Sequence, residues 1–219
     1  MLMIQSVRRM RQRGFTILEL MIASSVFAVI LLVVAVGVTQ FSNQYYKGVT
    51  STKTQAATRS VMAEISQAIE FSKTVAVIPA GANGVAGLCV DNALYSYKIG
   101  QQVVDTSPNA SLHQGYHGLV VGSTGSCTAG SVPSLPTTPG VPAGSRELLG
   151  RYMRLSALDV NNVGDVYTVH VRVIYGDDTL LFPAVSSSTN WANEQCSNAT
   201  GSKFCAVSDL TTTVQQRLL

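Results

Sequence analysis

The stretch Arg8-Arg9-Met10-Arg11-Gln12-Arg13-Gly14-Phe15-Thr16-Ile17-Leu18-Glu19-Leu20 decides the fold of this chain, together with the apolar run that continues to Val38. Leu20–Val38 contains 19 residues and no charge. A helix rises about 1.5 Å per residue, so a helix over residues 15–38 is long enough to cross a hydrocarbon core of roughly 30 Å. A secretory signal peptide has a shorter apolar core, followed by its cleavage site. The stretch therefore predicts a retained transmembrane helix.

The positive charge of the chain is concentrated before this helix, at Arg8, Arg9, Arg11 and Arg13. Four of the 15 Lys and Arg residues lie in this leader, so 11 remain in the rest of the chain against 12 Asp and Glu. Arginines on one flank of a membrane helix predict that this flank is cytoplasmic and that the body of the protein lies outside the cytoplasm. The nearly neutral body does not support direct binding of nucleic acid.

Glu19 is the one charge within the apolar segment. A carboxylate at the centre of a membrane helix costs about 2.5–3.5 kcal/mol on insertion scales. Glu19 therefore either reaches the membrane interface or pairs with a cation. Cleavage after Gly14 would create such a cation, because the new α-amine of Phe15 lies four residues before Glu19 on the same helical face.

The motif Gly14-Phe15-Thr16-Ile17-Leu18-Glu19-Leu20, with arginines before it and an apolar run after it, resembles the class III prepilin signal of type IV pilins and type II secretion pseudopilins. The resemblance implies cleavage after Gly14 by prepilin peptidase and N-methylation of Phe15. It also implies a contact between Glu19 and the N-terminus of an adjacent subunit.

The implied partners are other pilin subunits, in a homomeric or heteromeric filament, the prepilin peptidase and an inner-membrane assembly platform. The implied location is the inner membrane, in a single pass, before assembly. After assembly it is the pilus at the cell surface, or the periplasm.

The expected fold is α+β and pilin-like, with a long N-terminal helix packed on a C-terminal antiparallel β-sheet head. Residues 1–14 form the leader, 15–38 the transmembrane half of the helix, 39–78 its amphipathic half and 79–219 the head. The helix is expected to run from about Thr16 to about Val77, before Pro79. Residues that recur at three- and four-residue steps, with gaps around residues 50–54, predict the face of the helix that packs on the head. These residues are Phe41, Tyr45, Val49, Ala56, Val61, Ile65, Ala68, Ile69 and Ser72.

Alternation and turn residues predict the strands of the head. The clearest is Val166–Tyr175, with a Gly176-Asp177-Asp178 turn into a hairpin strand at Thr179–Phe182. A strand near Tyr152–Ala157 and a closing strand within Leu210–Leu219 are also expected. Further candidates are Leu88–Val90, Leu94–Ile99, Gln102–Val104 and Gly118–Val121. The Pro/Gly/Ser/Thr-rich region 122–145 predicts an exposed, mobile loop.

Four cysteines in a chain with an exported body favour two disulfides. Cys196 and Cys205 flank a short turn-rich segment, which favours their pairing and leaves Cys89 for Cys127. Free thiols and a zinc site remain alternatives, although zinc sites usually use closer cysteine pairs.

Other constellations give weaker signals. His113 and His117 have the spacing of two metal ligands on a helix, but glycines interrupt it and the two are interpreted as surface loop residues. His170 is expected on the polar face of its strand. Asp159, Asn161 and Asp165 are a weak calcium candidate, since their spacing does not complete an EF-hand loop. No nucleophile, phosphate-binding or dinucleotide motif is present, so no enzyme activity and no cofactor is predicted.

The favoured function is a structural subunit of a pilus-like filament, of the minor class because the head carries a Pro-rich excursion and a Cys-bracketed loop. The alternative is a single-pass, membrane-anchored extracytoplasmic binding protein or adhesin that does not polymerise. A membrane-tethered enzyme is a third, weaker hypothesis.

Overall fold

The computed structural model describes residues 14–122, 127, 132–186, 189–198 and 201–217. Two compact units are distinguished, residues 1–43 and residues 44–219. One long helix and antiparallel-rich β-sheets in the C-terminal region give an α+β arrangement, as the sequence predicts.

The helix α1 covers Ile17–Glu70. In the first unit its apolar side chains are exposed, with Phe27 61% and Leu32 66% accessible. α1 is long and apolar enough to cross a membrane. Such a surface is unfavourable in water but compatible with hydrocarbon, where the helix satisfies its own backbone hydrogen bonds.

In the second unit α1 packs on the head through a face that begins with threonines. Thr50, Thr54 and Thr58 are buried at four-residue steps, and each hydroxyl donates to the carbonyl four residues earlier at 2.8–2.9 Å. Val61, Met62, Ile65 and Ile69 continue this face into the core. The expectation of a gap around residues 50–54 and of packing through Phe41 and Tyr45 is wrong. Phe41 and Tyr45 are 71% and 60% exposed, because the self-bonded threonines form the inward face instead.

The helix ends at Glu70, seven residues before the predicted end, and strand β1 follows at Val75–Ile78. The carboxylate of Asp91 accepts hydrogen bonds from the backbone N–H groups of Lys73 and Thr74, each at 2.9 Å. These bonds turn the chain out of the helix. The β-branched residues after Thr74 then favour a strand over further helical turns.

The head contains two five-stranded sheets and a short two-stranded ladder within the described residues. The first sheet has the order β1-β2-β3-β6-β7 and is antiparallel, with β2 Ala86–Val90, β3 Ala93–Tyr97, β6 Leu119–Gly122 and β7 Ser145–Glu147. The second has the order β12-β9-β8-β4-β5, with β4 Gln102–Val103, β5 Gln114–Gly115, β8 Met153–Val163, β9 Val166–Tyr175 and β12 Ala206–Gln215. Its pairs are antiparallel except β4 with β5. The short ladder joins β10 Leu181–Phe182 to β11 Gln195–Cys196.

Strand β9 lies at the centre of the longest pairings, and its predicted alternation is confirmed. Tyr167, Val169, Val171 and Val173 are buried, whereas Thr168, His170 and Arg172 are partly exposed on the other face. The inner residues meet Val61, Ile65 and Ile69 of α1 in one hydrophobic core.

The predicted hairpin after β9 is wrong. Both edges of β9 are already paired, with β8 on one side and β12 on the other. Leu181 and Phe182 therefore pair with Gln195–Cys196 instead of folding back on β9. The C-terminal segment takes the place beside β9 because its ten paired residues satisfy the whole edge.

Within the Pro-rich region 122–145, residues 123–126 and 128–131 lie outside the described residues. The rest is not uniformly exposed. Val132 is 70% exposed, but Pro133 is buried and its carbonyl accepts a hydrogen bond from Asn83 at 3.0 Å. A Cβ on Gly87 would lie 2.8 Å from the Pro133 ring, so the absent side chain permits this close approach.

The C-terminal end of β12 is tied to the end of α1. Arg217 donates from its backbone N–H to the Glu70 carbonyl at 2.9 Å, and its guanidinium lies 2.8 Å from the Glu70 carboxylate. The Gln216 side chain donates to the carbonyl of Ser72 at 2.7 Å. The last described residues of the chain thus close the head beside the point where the helix stops.

The helix–sheet core yields a stability prediction. Ile65 is fully buried, so Ile65→Ala should lower the free energy of unfolding of the full chain in detergent by about 2–5 kcal/mol. Gln67→Ala, on the exposed face of the same helix, is the control and should change it by less than about 0.5 kcal/mol. Urea unfolding followed by far-UV circular dichroism measures both. Equal effects of the two substitutions would contradict this packing.

Candidate functional site

The candidate site is the start of α1, where Thr16 and Glu19 form a reciprocal cap. The Thr16 hydroxyl accepts a hydrogen bond from the Glu19 backbone N–H at 3.2 Å. The Glu19 carboxylate reaches back and accepts from the Thr16 backbone N–H at 3.3 Å and from the Thr16 hydroxyl at 3.2 Å. This is a capping box, which satisfies N–H groups that the first turn of a helix leaves without a partner.

Glu19 is thereby oriented towards the N-terminal end of the helix. Its carboxylate is bonded to the residue that directly follows Phe15. A negative side chain at this end is also favoured by the helix dipole. The arrangement places an anion next to the position that an α-amine would occupy if the chain began at Phe15.

Gly14 and Phe15 are accessible. Both residues are exposed, Phe15 to 80%. Among the described residues, apart from the chain neighbours of Gly14, no atom lies within 4 Å of the position that a Cβ on Gly14 would take. The leader arginines Arg8, Arg9, Arg11 and Arg13 lie outside the described residues.

The sequence predicted Gly14, Phe15 and Glu19 as site residues and did not assign a role to Thr16. The signal was present, since Thr-x-x-Glu directly before an apolar run is the sequence pattern of a capping box. In the structure Thr16 holds the Glu19 side chain, which makes it a positioning residue.

The cysteines pair as Cys89–Cys127 and Cys196–Cys205. These are the pairs that the sequence favoured over free thiols and zinc. Cys127 is a described residue between two undescribed segments, and its disulfide attaches the Pro-rich region to β2. Cys196–Cys205 closes a short loop between β11 and β12.

His117 is buried, so its predicted surface position is wrong. Its Nδ1 lies 3.2 Å from a Glu147 carboxylate oxygen, and its Nε2 lies 2.9 Å from the Thr138 carbonyl. A carbonyl only accepts, so Nε2 carries the proton. Burial raises the pKa of Glu147, and three backbone N–H groups oppose this rise by hydrogen bonding to its carboxylate. The pair fastens the Pro-rich region to β6 and β7.

His113 is partly exposed, and its Nδ1 lies 3.1 Å from the carboxylate of Asp178. The same Asp178 forms an ion pair with Arg154, which is completely buried. Burial lowers the pKa of Arg154, and the Asp178 charge opposes this shift. The Arg154 guanidinium lies 5.1 Å from the ring centre of Trp191, so this cluster fixes the indole on the head. No sequence pattern predicted this cluster of His113, Asp178, Arg154 and Trp191.

His170 bridges two strands on the outer sheet face. Its Nδ1 lies 3.0 Å from Asp159 on β8, and its Nε2 lies 2.8 Å from Asp209 on β12. The hydrogen bond to Asp159 raises the pKa of His170, partial burial lowers it, and Asp209 raises it further. The sequence predicted a solvated histidine and missed both partners, which pair with it only across the ladder.

The calcium candidates Asp159, Asn161 and Asp165 are spread along β8 and its turn to β9. Asp159 is engaged with His170, and the Asp165 carbonyl accepts from the Gln216 backbone N–H at 2.9 Å. Within the part of the chain that the structure describes, no group of three His, Cys, Asp or Glu residues is placed to hold a metal ion.

Comparison with known proteins identifies the N-terminal segment. Residues 9–35 match the family model of the prokaryotic N-terminal methylation motif. No curated protein and no solved structure matches the chain. The motif, followed by the long apolar helix, fits a class III signal prepilin. It supports a pilin-like, structural protein and is consistent with a single-pass membrane anchor.

The His170 bridge yields a pH prediction. The folded-state pKa of His170 is raised, so its contribution to stability is complete below the unfolded pKa of about 6.5 and is lost as pH rises through the higher folded value. The melting temperature of the wild type should therefore fall relative to that of His170→Gln as pH increases from about 6 to 8.5. Differential scanning fluorimetry across this range measures the difference. If the difference in melting temperature between the two proteins did not change with pH, this would contradict the bridge from His170 to Asp159 and Asp209.

Proposed function

We propose that this chain is a structural subunit, of the minor class, of a type IV pilus or a related pilus-like filament. Prepilin peptidase cleaves it after Gly14, and Phe15 is N-methylated. The observation that carries this proposal is the methylation motif at residues 9–35 running into an exposed apolar helix. An ordinary signal anchor needs the apolar run but not the ordered Gly-Phe-Thr-x-x-Glu motif.

The leader and the cleavage point have separate roles. The four arginines orient the precursor with its N-terminus in the cytoplasm, and they leave with residues 1–14. The exposed Gly14–Phe15 bond is accessible to the peptidase. Cleavage converts a neutral peptide bond into a cationic α-amine on Phe15, at the end of the helix where Glu19 already points.

Glu19 then has two successive partners. In the precursor its carboxylate is held by the Thr16 N–H and hydroxyl groups. In the filament it pairs with the Phe15 amine of a neighbouring subunit. An unpaired carboxylate among packed apolar helices is costly, so only a stagger that brings an amine to Glu19 is favourable. Glu19 is thus the residue that sets the axial register between subunits.

The apolar surface of α1 drives the packing of the filament core. Its side chains are exposed in the single chain. On assembly they leave their contacts with lipid and contact the similar helices of other subunits. Close van der Waals packing favours this exchange, because lipid chains are as apolar as the helix itself. The heads then form the outer layer, at the cell surface for a pilus or in the periplasm for a secretion pseudopilus.

One observation favours the alternative, an anchored binding protein or adhesin that does not polymerise. The head has an open groove of about 500 Å³ between the two sheets, with Tyr97, Leu158 and Trp191 among its lining residues. Mixed apolar and polar clefts of this size are common at ligand sites. Binding in this groove is compatible with a filament subunit, so the test has to address processing and assembly.

Processing is tested on the native protein. Intact-mass and N-terminal peptide analysis of the membrane fraction should show a chain that starts at N-methylated Phe15, and Gly14→Val should leave the leader attached. Ala23→Val, a change within the apolar run, is the control and should be processed normally. A functional protein that retains Met1 would overturn the proposal.

Assembly is tested with three variants in sheared filament fractions. Glu19→Val should insert in the membrane but be at least tenfold depleted from filaments, because the amine of the neighbour loses its partner. Glu19→Asp should retain part of the assembly. Thr16→Val removes only the hydroxyl half of the cap, at a cost of about 0.5–2 kcal/mol, and should assemble better than Glu19→Val. Equal defects in Thr16→Val and Glu19→Val would show that Glu19 acts through the cap alone.

A further inference from the structure

A small polar cavity lies between α1 and the loop closed by Cys196–Cys205. Its volume is about 240 Å³. Among the described residues that line it, Lys47 is the only charged one and none is acidic. The helix contributes Lys47 and Ser51, and the loop side contributes the disulfide sulfurs, Ser197, Asn198, Ser202, Ala206 and Val207. An ammonium, hydroxyl groups and an amide are the donors that a phosphate group requires.

The disulfide Cys196–Cys205 forms part of the wall of this cavity. A short 3₁₀ turn at Ser202–Phe204 starts at Gly201, whose φ of +105° is a conformation that glycine adopts readily. The turn brings the ring of Phe204 to 5.8 Å from that of Tyr46 on α1. The Lys203 ammonium lies 5.2 Å and 5.8 Å from the centres of the Phe204 and Tyr46 rings. Ser202 of the cavity wall is thus followed directly by a second cation, Lys203, whose ammonium lies against two half-exposed aromatic rings.

The position of Lys47 in the sequence relates this site to the membrane. Leu20–Tyr46 contains 27 residues without a charge, and a helix of that length rises about 40 Å. A bilayer with its headgroup regions is about 40–45 Å thick. Lys47 is the first charge after this run, and Tyr45 and Tyr46 precede it as the aromatic pair typical of a membrane interface.

The positive charge of this part of α1 favours a lipid with an anionic headgroup. Between Glu19 and Glu64 the charged residues are Lys47, Lys53 and Arg59, all basic. These basic residues attract anionic headgroups, and each one close to a headgroup contributes about 1 kcal/mol to the binding free energy. A zwitterionic headgroup places its own cation next to the lysines, so its binding free energy is less favourable.

We propose that this cavity binds the phosphate of an anionic phospholipid, with Lys47 and Lys203 as its cations and Ser51 and Ser202 as hydrogen-bond donors. Tyr46 and Phe204 contact the glycerol region of the same lipid. The inference rests on the membrane-anchored precursor of the proposed function. The head is then held on the membrane surface until the subunit is extracted, and extraction breaks this contact.

The test uses the full chain, purified in dodecyl maltoside and titrated with phosphatidylglycerol or phosphatidylcholine, with bound lipid counted by native mass spectrometry. Phosphatidylglycerol should bind at least fivefold more tightly than phosphatidylcholine. Lys47→Gln and Lys203→Gln should each weaken its binding about fivefold, the factor that corresponds to about 1 kcal/mol. Lys47→Arg should retain binding, and Lys73→Gln, an exposed lysine outside the cavity, should bind as the wild type does.

Three results would overturn the proposal. Equal binding of the two lipids would remove the anionic selectivity, and equal behaviour of Lys47→Gln and Lys73→Gln would remove the site. Displacement of the lipid by inorganic phosphate at low millimolar concentration would make it a free-anion site. Lipid binding in detergent requires neither cleavage nor polymerisation, so its failure is distinguishable from failure of the proposed function, which the N-terminal mass decides.

Discussion

A helix that faces lipid must satisfy every backbone polar group internally and can carry almost no charge, and this constraint governs the first part of the chain. Thr16 and Glu19 provide the hydrogen bonds that the first turn lacks, through a cap built from adjacent residues. The next charge appears at Lys47, after the charge-free run. The same helix then becomes the support of the head, where Val61, Ile65 and Ile69 enter the core of the sheets. One helix thus carries both an exposed apolar segment and a segment that packs in the core of the head.

Sequence reasoning succeeded where a feature depends on neighbouring residues. The motif at Gly14 to Glu19 was recognised from its spacing, and the Thr16–Glu19 cap, which was not predicted, follows an equally local sequence pattern. Strand β9 was also predictable, because the alternation of its apolar residues survives in the fold as one buried face. In the structure β8 continues to Val163, well beyond the strand predicted near Tyr152–Ala157, because ten residues of β9 pair with it. Local pattern therefore identified the elements but not their lengths.

Two features that the sequence did not predict, the end of α1 and the burial of His117, depend on contacts between distant residues. Asp91 ends the helix by accepting hydrogen bonds from residues 17 and 18 positions earlier. His117 is buried by partners 21 and 30 residues away. The gap predicted around residues 50–54 is wrong for a local reason, because the hydroxyls of Thr50, Thr54 and Thr58 are each satisfied by their own helix and leave a methyl group for the interior. The cavity at Lys47 could not be found from sequence either, because its walls come from α1 and from the segment around Cys196 and Cys205, which are far apart in the chain.

The connection between Arg217 and Glu70 has a mechanical consequence. Tension along the last turns of α1 reaches the head through the packed core, through the covalent chain into β1 and through the Arg217 contact to the end of β12. β12 is joined to β9 over ten residues by hydrogen bonds perpendicular to the strands. A pull along β12 therefore strains these bonds together, in shear, instead of opening them one at a time. The C-terminal strand thus distributes force that enters through the Arg217 contact along the full length of its pairing with β9.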